Sequence, residues 1–445
     1  MRYLPHTRED IDQMLAKTGH ASLDDLFDTI PDALKIKDGL DLPDAMSEWD
    51  LNAHMEALAS TNIACKNYTC FIGAGSYDHY IPSIVPYLVS RSEFMTAYTP
   101  YQPEVSQGTL QAIYEFQTMV TELLGMDIST ASHYDCGTAL AECALIALRK
   151  SRKANKIAVS SLVHPAHREI INTYIAPAGY EMVEIPATAQ GLTDVAAFEA
   201  MDGVAGVAVQ SPNFFGNIED LGAFRAAADA KKVLMIASFT EALAWGLLKS
   251  PGSFGADLVA GEGQSLGIAK TFGGPGLGLL AGTQKMMRNL PGRLIGKTKD
   301  LNGQDGYVLT LATREQHIRR EKASSNICSN NGLNATTASV YLATIGKIGI
   351  REIARQNHDK AVYLKNALTG AGFESVFDGP FFNEFVLKAP QGFAEKRAAL
   401  IRDNCMFAGM PLDSCYPELK DHYLFCATET VSKQDMDLLA KEVQS

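Results

Sequence analysis

An α/β fold, with a large domain on a mostly parallel sheet and a small C-terminal α+β domain, is predicted by two observations. Short apolar runs at residues 157–159, 204–210 and 233–237 are separated by helical stretches, and strands alternating with helices make parallel sheets covered on both faces. The chain has 445 residues, 46% of them hydrophobic and 20% charged. That is too long for one small core and suits a large domain with a smaller companion.

Residues 1–70 read as helices with polar connectors. Thr7-Arg-Glu-Asp10 has the form of a capping box, and residues 24–27 start another short amphipathic piece. Residues 71–330 carry the strand, turn and helix alternation of the large domain. Residues 331–445 form the small domain: a long helical pattern at 335–368 is interrupted by Gly346 and Gly349. An apolar strand at 381–387 then lies between the turn signals Gly379-Pro380 and Ala389-Pro390.

The formal charge of −12 argues against nonspecific binding to nucleic acid or anionic membranes, which needs clustered Lys and Arg. Eight cysteines without a Cys-x-x-Cys spacing fit neither a disulfide framework nor a zinc site. The first residues lack the apolar run of a signal peptide, and no stretch reaches the roughly 18–20 apolar residues that span a bilayer. A cytoplasmic location is the expectation.

Tyr98-Thr-Pro-Tyr-Gln-Pro-Glu-Val-Ser-Gln-Gly108 concentrates polar and aromatic side chains on a backbone stiffened by two prolines. It is neither ordinary helix nor central strand, and reads as a site-lining loop or as an interface or surface loop. Asp135-Cys-Gly-Thr-Ala139 sets small residues and the Thr138 hydroxyl before a helix. That position either receives an anion or is closed by Asp135 or Thr138 as helix caps. Asn213, in the turn after the strand at 204–210, is either a ligand contact or bonded to its own backbone.

Gly261-Glu-Gly-Gln-Ser-Leu-Gly267 and Gly273-Gly-Pro-Gly276 allow close approach of a ligand or a second chain, and fit neither a P-loop nor a dinucleotide fingerprint. His79, and His164 with His167, lack a third ligand at metal-binding spacing, so structural histidines are expected. The run Arg314-Glu-Gln-His-Ile-Arg-Arg-Glu-Lys322 spaces its charges as a solvated or interface helix does, with anion binding by Arg319 or Arg320 the lesser alternative.

Together these stretches resemble the glycine decarboxylase, or P-protein, family of the glycine cleavage system, in its subunit 1 (alpha) branch. The motifs are Met1-Arg-Tyr-Leu-Pro-His-Thr7, Gly73-Ala-Gly-Ser-Tyr-Asp-His-Tyr80, the loop at 98–108, and residues 210–216, 261–267 and 314–328. The resemblance runs end to end. It implies the pyridoxal-phosphate-dependent transferase fold of type I, with active sites at subunit interfaces.

The family reaction decarboxylates glycine and passes the aminomethyl group to the lipoyl arm of H-protein. The cofactor supplies an electron sink and is held by a lysine between turnovers. Where the catalytic half carries His-Lys-Thr, this chain has Gln264-Ser265-Leu266, and serine cannot form the imine. Lys270 lies too near residues 273–276 to take that place.

Glu241-Ala242 stands where the family shows Asp-Pro, the carboxylate that pairs with the pyridinium nitrogen, and Cys136 departs from the expected glycine. The resemblance therefore implies a degenerate cofactor pocket around Asp135, Thr138, Asn213, Glu241 and Ser265, with no firmly bound cofactor and no metal. It implies that pyridoxal phosphate resides on a beta subunit in an α2β2 assembly, and that the isolated chain is inactive. Tyr98, Tyr101, Gln102 and Glu104 are expected to line the partner's glycine site, with Gly273, Gly274 and Gly276 in an interface loop. The alternative is a noncatalytic scaffold for beta-subunit assembly and H-protein docking.

Overall fold

A computed structural model of the chain describes residues 5–36, 39–64, 67–151 and 153–444. The first four residues of the Met1-to-Thr7 motif lie outside the described residues. The chain forms two compact units, Met1–Ile63 and Ala64–Ser445.

In the first unit, Thr7 caps the helix Arg8–Thr18: its hydroxyl accepts from the Asp10 amide, and the Asp10 carboxylate accepts from the Thr7 amide. These reciprocal bonds satisfy donors that the first turn would otherwise leave open. A 3₁₀ turn at Asp24–Phe27 and a helix at Glu48–Ala59 follow.

The second unit is organised by a seven-stranded sheet. Its order is Ile128–Ser129, Gly278–Gly282, Leu258–Glu262, Leu234–Phe239, Val204–Gln210, Lys156–Ser160 and Glu181–Ile185. The last five are mutually parallel, and Gly278–Gly282 pairs antiparallel with both of its neighbours. Successive residues face opposite sides of a strand, and both sides are covered. Ile236, Leu258 and Ala260 pack with the buried helix Cys136–Lys150, while Ala237, Phe239 and Val259 pack with Phe116, Ala338 and Tyr341. Two-sided burial is why these strands read as continuous apolar runs.

A four-stranded antiparallel sheet, ordered Glu374–Ser375, Glu384–Lys388, His422–Cys426 and Met410–Pro411, carries the C-terminal part. The long helix Gly332–Gly370 kinks at Gly346, whose φ of 58° and ψ of −174° leave the helical region; Gly349 remains helical.

The apolar strand expected at 381–387 begins only at Glu384. Phe381 instead bridges to Asn217, and the Phe382 amide donates to the Gly216 carbonyl, so the chain first docks on the turn after Val204–Gln210. Gly216 makes that approach possible: its φ is +85°, and a Cβ there would lie 2.0 Å from the Glu384 carbonyl oxygen. Gly216→Ala is therefore expected to destabilise the chain by at least about 2 kcal/mol, combining left-handed strain with a backbone clash. Urea unfolding measures this, and a change within about 0.5 kcal/mol, typical of an unconstrained surface site, would contradict the close approach.

Candidate active site region

Ligands in open α/β sheets sit beyond the carboxyl ends of the strands. A cavity of about 400 Å³ lies there, walled by Asp135, Glu262, His164, His167 and Lys270 together with the loop at 273–276. Glu262 is the last residue of its strand, and Asp135 is the N-cap of the helix Cys136–Lys150.

These two carboxylates close the helix's amino end. Asp135 Oδ1 accepts from the Thr138 amide at 2.8 Å, and Glu262 Oε2 accepts from the Cys136 amide at 3.0 Å. Glu262 Oε1 also accepts from the amides of Leu277 and Gln264. Burial raises the Glu262 pKa, while these backbone donors pull it back down. The Thr138 hydroxyl turns to the Asp135 backbone.

The His164 and His167 rings lie tilted against each other by 30°, with centroids 4.6 Å apart. His164 Nε2 donates to the Ala74 carbonyl, and its Nδ1 accepts from the Ala166 amide, which fixes the tautomer. Burial lowers both histidines, His167 to about 3, so both are neutral near pH 7.

Of the five residues assigned to a degenerate pocket, Asp135 alone lines this cavity. Asn213 is spent inside the protein: Oδ1 accepts from the Phe215 and Asn217 amides of its own turn, and Nδ2 donates to Glu219 and across to the Gly191 carbonyl. Glu241 turns away to His79 Nε2 at 2.9 Å, and also accepts from Asn383 and the Leu243 amide. Ser265 is fully buried, and its hydroxyl has no hydrogen-bond partner among the described residues.

Pyridoxal phosphate does not fit this set. No lysine stands at 265, the Asp135 and Glu262 carboxylates hold amides of the helix end, and Glu241 is committed elsewhere. Glu262, His164 and His167 were not singled out as ligand-facing by sequence spacing. Glu262 carried the one available signal, an acid at the end of an otherwise apolar strand.

The loop at 98–108 sits on the rim of a neighbouring cavity of about 340 Å³, which shares Pro275 and Asn331 with the first. Tyr98, Tyr101, Gln102 and Glu104 are all exposed. The loop is held at its end by Gln107, whose side chain donates to the Pro103 and Tyr307 carbonyls and accepts from the Tyr307 amide. The Arg293 guanidinium lies 5.8 Å from the Tyr101 ring centroid. Asn331 and Asn334 donate to the Gly276 carbonyl and pin the loop at 273–276 beside it. The run at 314–322 is broken, a short helix Gln316–Arg319 ending at Arg320 with φ 53°.

The comparisons with known proteins agree in direction. The probable glycine dehydrogenase (decarboxylating) subunit 1 of Desulfotalea psychrophila is 50% identical over 444 residues, covering 100% of this chain and 98% of that protein. A crystal structure of glycine decarboxylase (P-protein) of the glycine cleavage system, in inhibitor-bound form, is 40% identical with a TM-score of 0.91, covering 100% of this chain and 99% of the other. The apo cysteine desulfurase of Thermococcus onnurineus NA1, 16% identical with a TM-score of 0.64 over 91% of this chain and 98% of its own, shares the fold. The family model for the glycine cleavage system P-protein matches residues 1–443, and the chain belongs to that family.

Proposed function

We propose that this chain is the alpha subunit of a two-subunit glycine decarboxylase. It completes the active site of a lysine-bearing beta subunit that decarboxylates glycine and passes the aminomethyl group to lipoylated H-protein. The observation that carries this reading is the closed cofactor position: Ser265 is buried with no hydrogen-bond partner among the described residues, and Asp135 and Glu262 occupy the helix end. The cofactor, which supplies the electron sink, then belongs to the beta subunit. Tyr98, Tyr101, Gln102 and Glu104 line the partner's glycine site, and Gly273, Gly274 and Gly276 form the facing interface loop. The assembly is α2β2 and cytoplasmic, and the chain divides functionally into residues 1–70, 71–330 and 331–445.

Purification with and without the beta subunit tests the reading, with oligomer mass and cofactor absorbance recorded together. The expected result is cofactor absorbance in the complex alone. Cofactor bound stoichiometrically by the isolated chain would contradict it. Ser265→Lys in the isolated chain is expected to give no borohydride-trapped adduct, because lysine supplies the amine but no position for the phosphate, so the imine does not form; stoichiometric trapping would contradict the reading.

A further inference from the structure

The cavity beneath the Tyr98 loop contains a buried charge with no counter-charge among the described residues that line it. Arg293 is 7% exposed. Its Nη1 donates to Asn330 Oδ1 at 2.7 Å and its Nη2 to the Cys328 carbonyl at 3.0 Å, both neutral acceptors. A guanidinium has more N–H donors than these two oxygens satisfy. Among the described residues that line it none is acidic, and Arg293 is the only charged one, in a chain whose net charge is −12. A cation buried without an anion is costly unless something brings one.

The same cavity receives the amino end of the helix Gly332–Gly370. Asn331, its N-cap, makes no side-chain cap. Instead, Asn331 and Asn334 donate their side-chain amides to backbone carbonyls of Tyr134, Pro275 and Gly276. Gly332, Leu333 and Asn334, the first turn of this helix, line the cavity, and the N-cap side chain caps none of their amides; the cavity thus meets the positive end of the helix dipole. The contrast with the helix Cys136–Lys150 is direct: there two carboxylates close the end, and here none does.

We propose that this cavity is an oxoanion site, in which Arg293 and the open end of the helix Gly332–Gly370 receive the carboxylate or phosphate group of a small molecule. The proposal rests on the function given above only for the anion's source, which is glycine's carboxylate or the phosphate of a cofactor carried by the partner.

Titration calorimetry of the full-length chain with inorganic phosphate, and separately with acetate, tests the site without the partner. Saturable binding at one site is expected, weakened at least tenfold in Arg293→Gln. It should be weakened less in Arg293→Lys, which keeps the charge and loses the planar fork. Ser329→Asp adds a carboxylate to the cavity wall while keeping Arg293 and its two partners, and should abolish binding with the thermal midpoint retained. Tighter binding of phosphate assigns the cofactor's phosphate, and tighter binding of acetate assigns glycine's carboxylate. No saturable binding of either anion, or equal binding by the unsubstituted chain and Ser329→Asp, overturns the proposal. Failure of the chain to assemble with a beta subunit would overturn the functional reading and leave this result standing.

Discussion

Replacing His79 by leucine is expected to destabilise the second unit by about 3–5 kcal/mol, the cost of breaking a buried ion pair from one side. The His79 ring lies between two carboxylates: Nε2 meets Glu241 at 2.9 Å and Nδ1 meets Glu429 at 2.8 Å, with all three side chains at most 8% exposed. Burial alone would strip its proton, but the Glu241 and Glu429 carboxylates outweigh it and raise its pKa to about 10. Glu429 is opposed by burial and lowered on balance by His79. Leucine would leave two buried carboxylates facing one another.

The pH dependence separates this charge from ordinary packing. A histidine raised from 6.5 to about 10 contributes its full stability below pH 6.5 and loses it as the pH climbs through about 10. Glu429, lowered from 4.5, contributes above that value and loses its share as the solution is acidified through its folded pKa. Urea unfolding of the unsubstituted chain and His79→Gln should therefore differ most between about pH 4.5 and 6.5, still differ at pH 7, and converge above about pH 10. An equal gap at pH 7 and pH 10.5 would mean that shape rather than charge holds the cluster.

This cluster also marks where sequence reading stops. The strands Val204–Gln210 and Leu234–Phe239 are legible because burial on both faces leaves an unbroken apolar run. The kink at Gly346 is legible because glycine punctuates a helical pattern. Asp135 and Thr138 are legible as a helix start because capping is local, spanning three residues.

Glu241 and His79 are 162 positions apart, and Cys136 and Glu262 are 126 apart. Nothing in local spacing predicts which acid turns to the cavity and which to the interior. Arg293 is the instructive omission. It stands in Leu290-Pro-Gly-Arg-Leu-Ile-Gly296, a lone cation in an apolar stretch, and such a residue is buried only for a reason.

In the complex with a beta subunit, Tyr101→Ala is expected to lower kcat/KM for glycine by about 100-fold, the scale on which small misplacements near reacting groups are felt. Tyr101 is 56% exposed, so its removal should cost this chain little stability, on the order of 1 kcal/mol. A large kinetic effect beside a small folding effect is the signature of a side chain held ready for a partner. The loop is built for that: Pro100 and Pro103 restrict its backbone, and Gln107 fastens its end to Tyr307.

Tyr101→Phe divides the role further. Phenylalanine keeps a ring beside Arg293 and removes only the hydroxyl. A loss close to that of Tyr101→Ala would place the hydroxyl at the partner's site, whereas near-normal rates would make the ring an anchor for Arg293. Unchanged decarboxylation in both variants, with the assembly intact by mass, would instead make this loop a contact surface and the chain a scaffold.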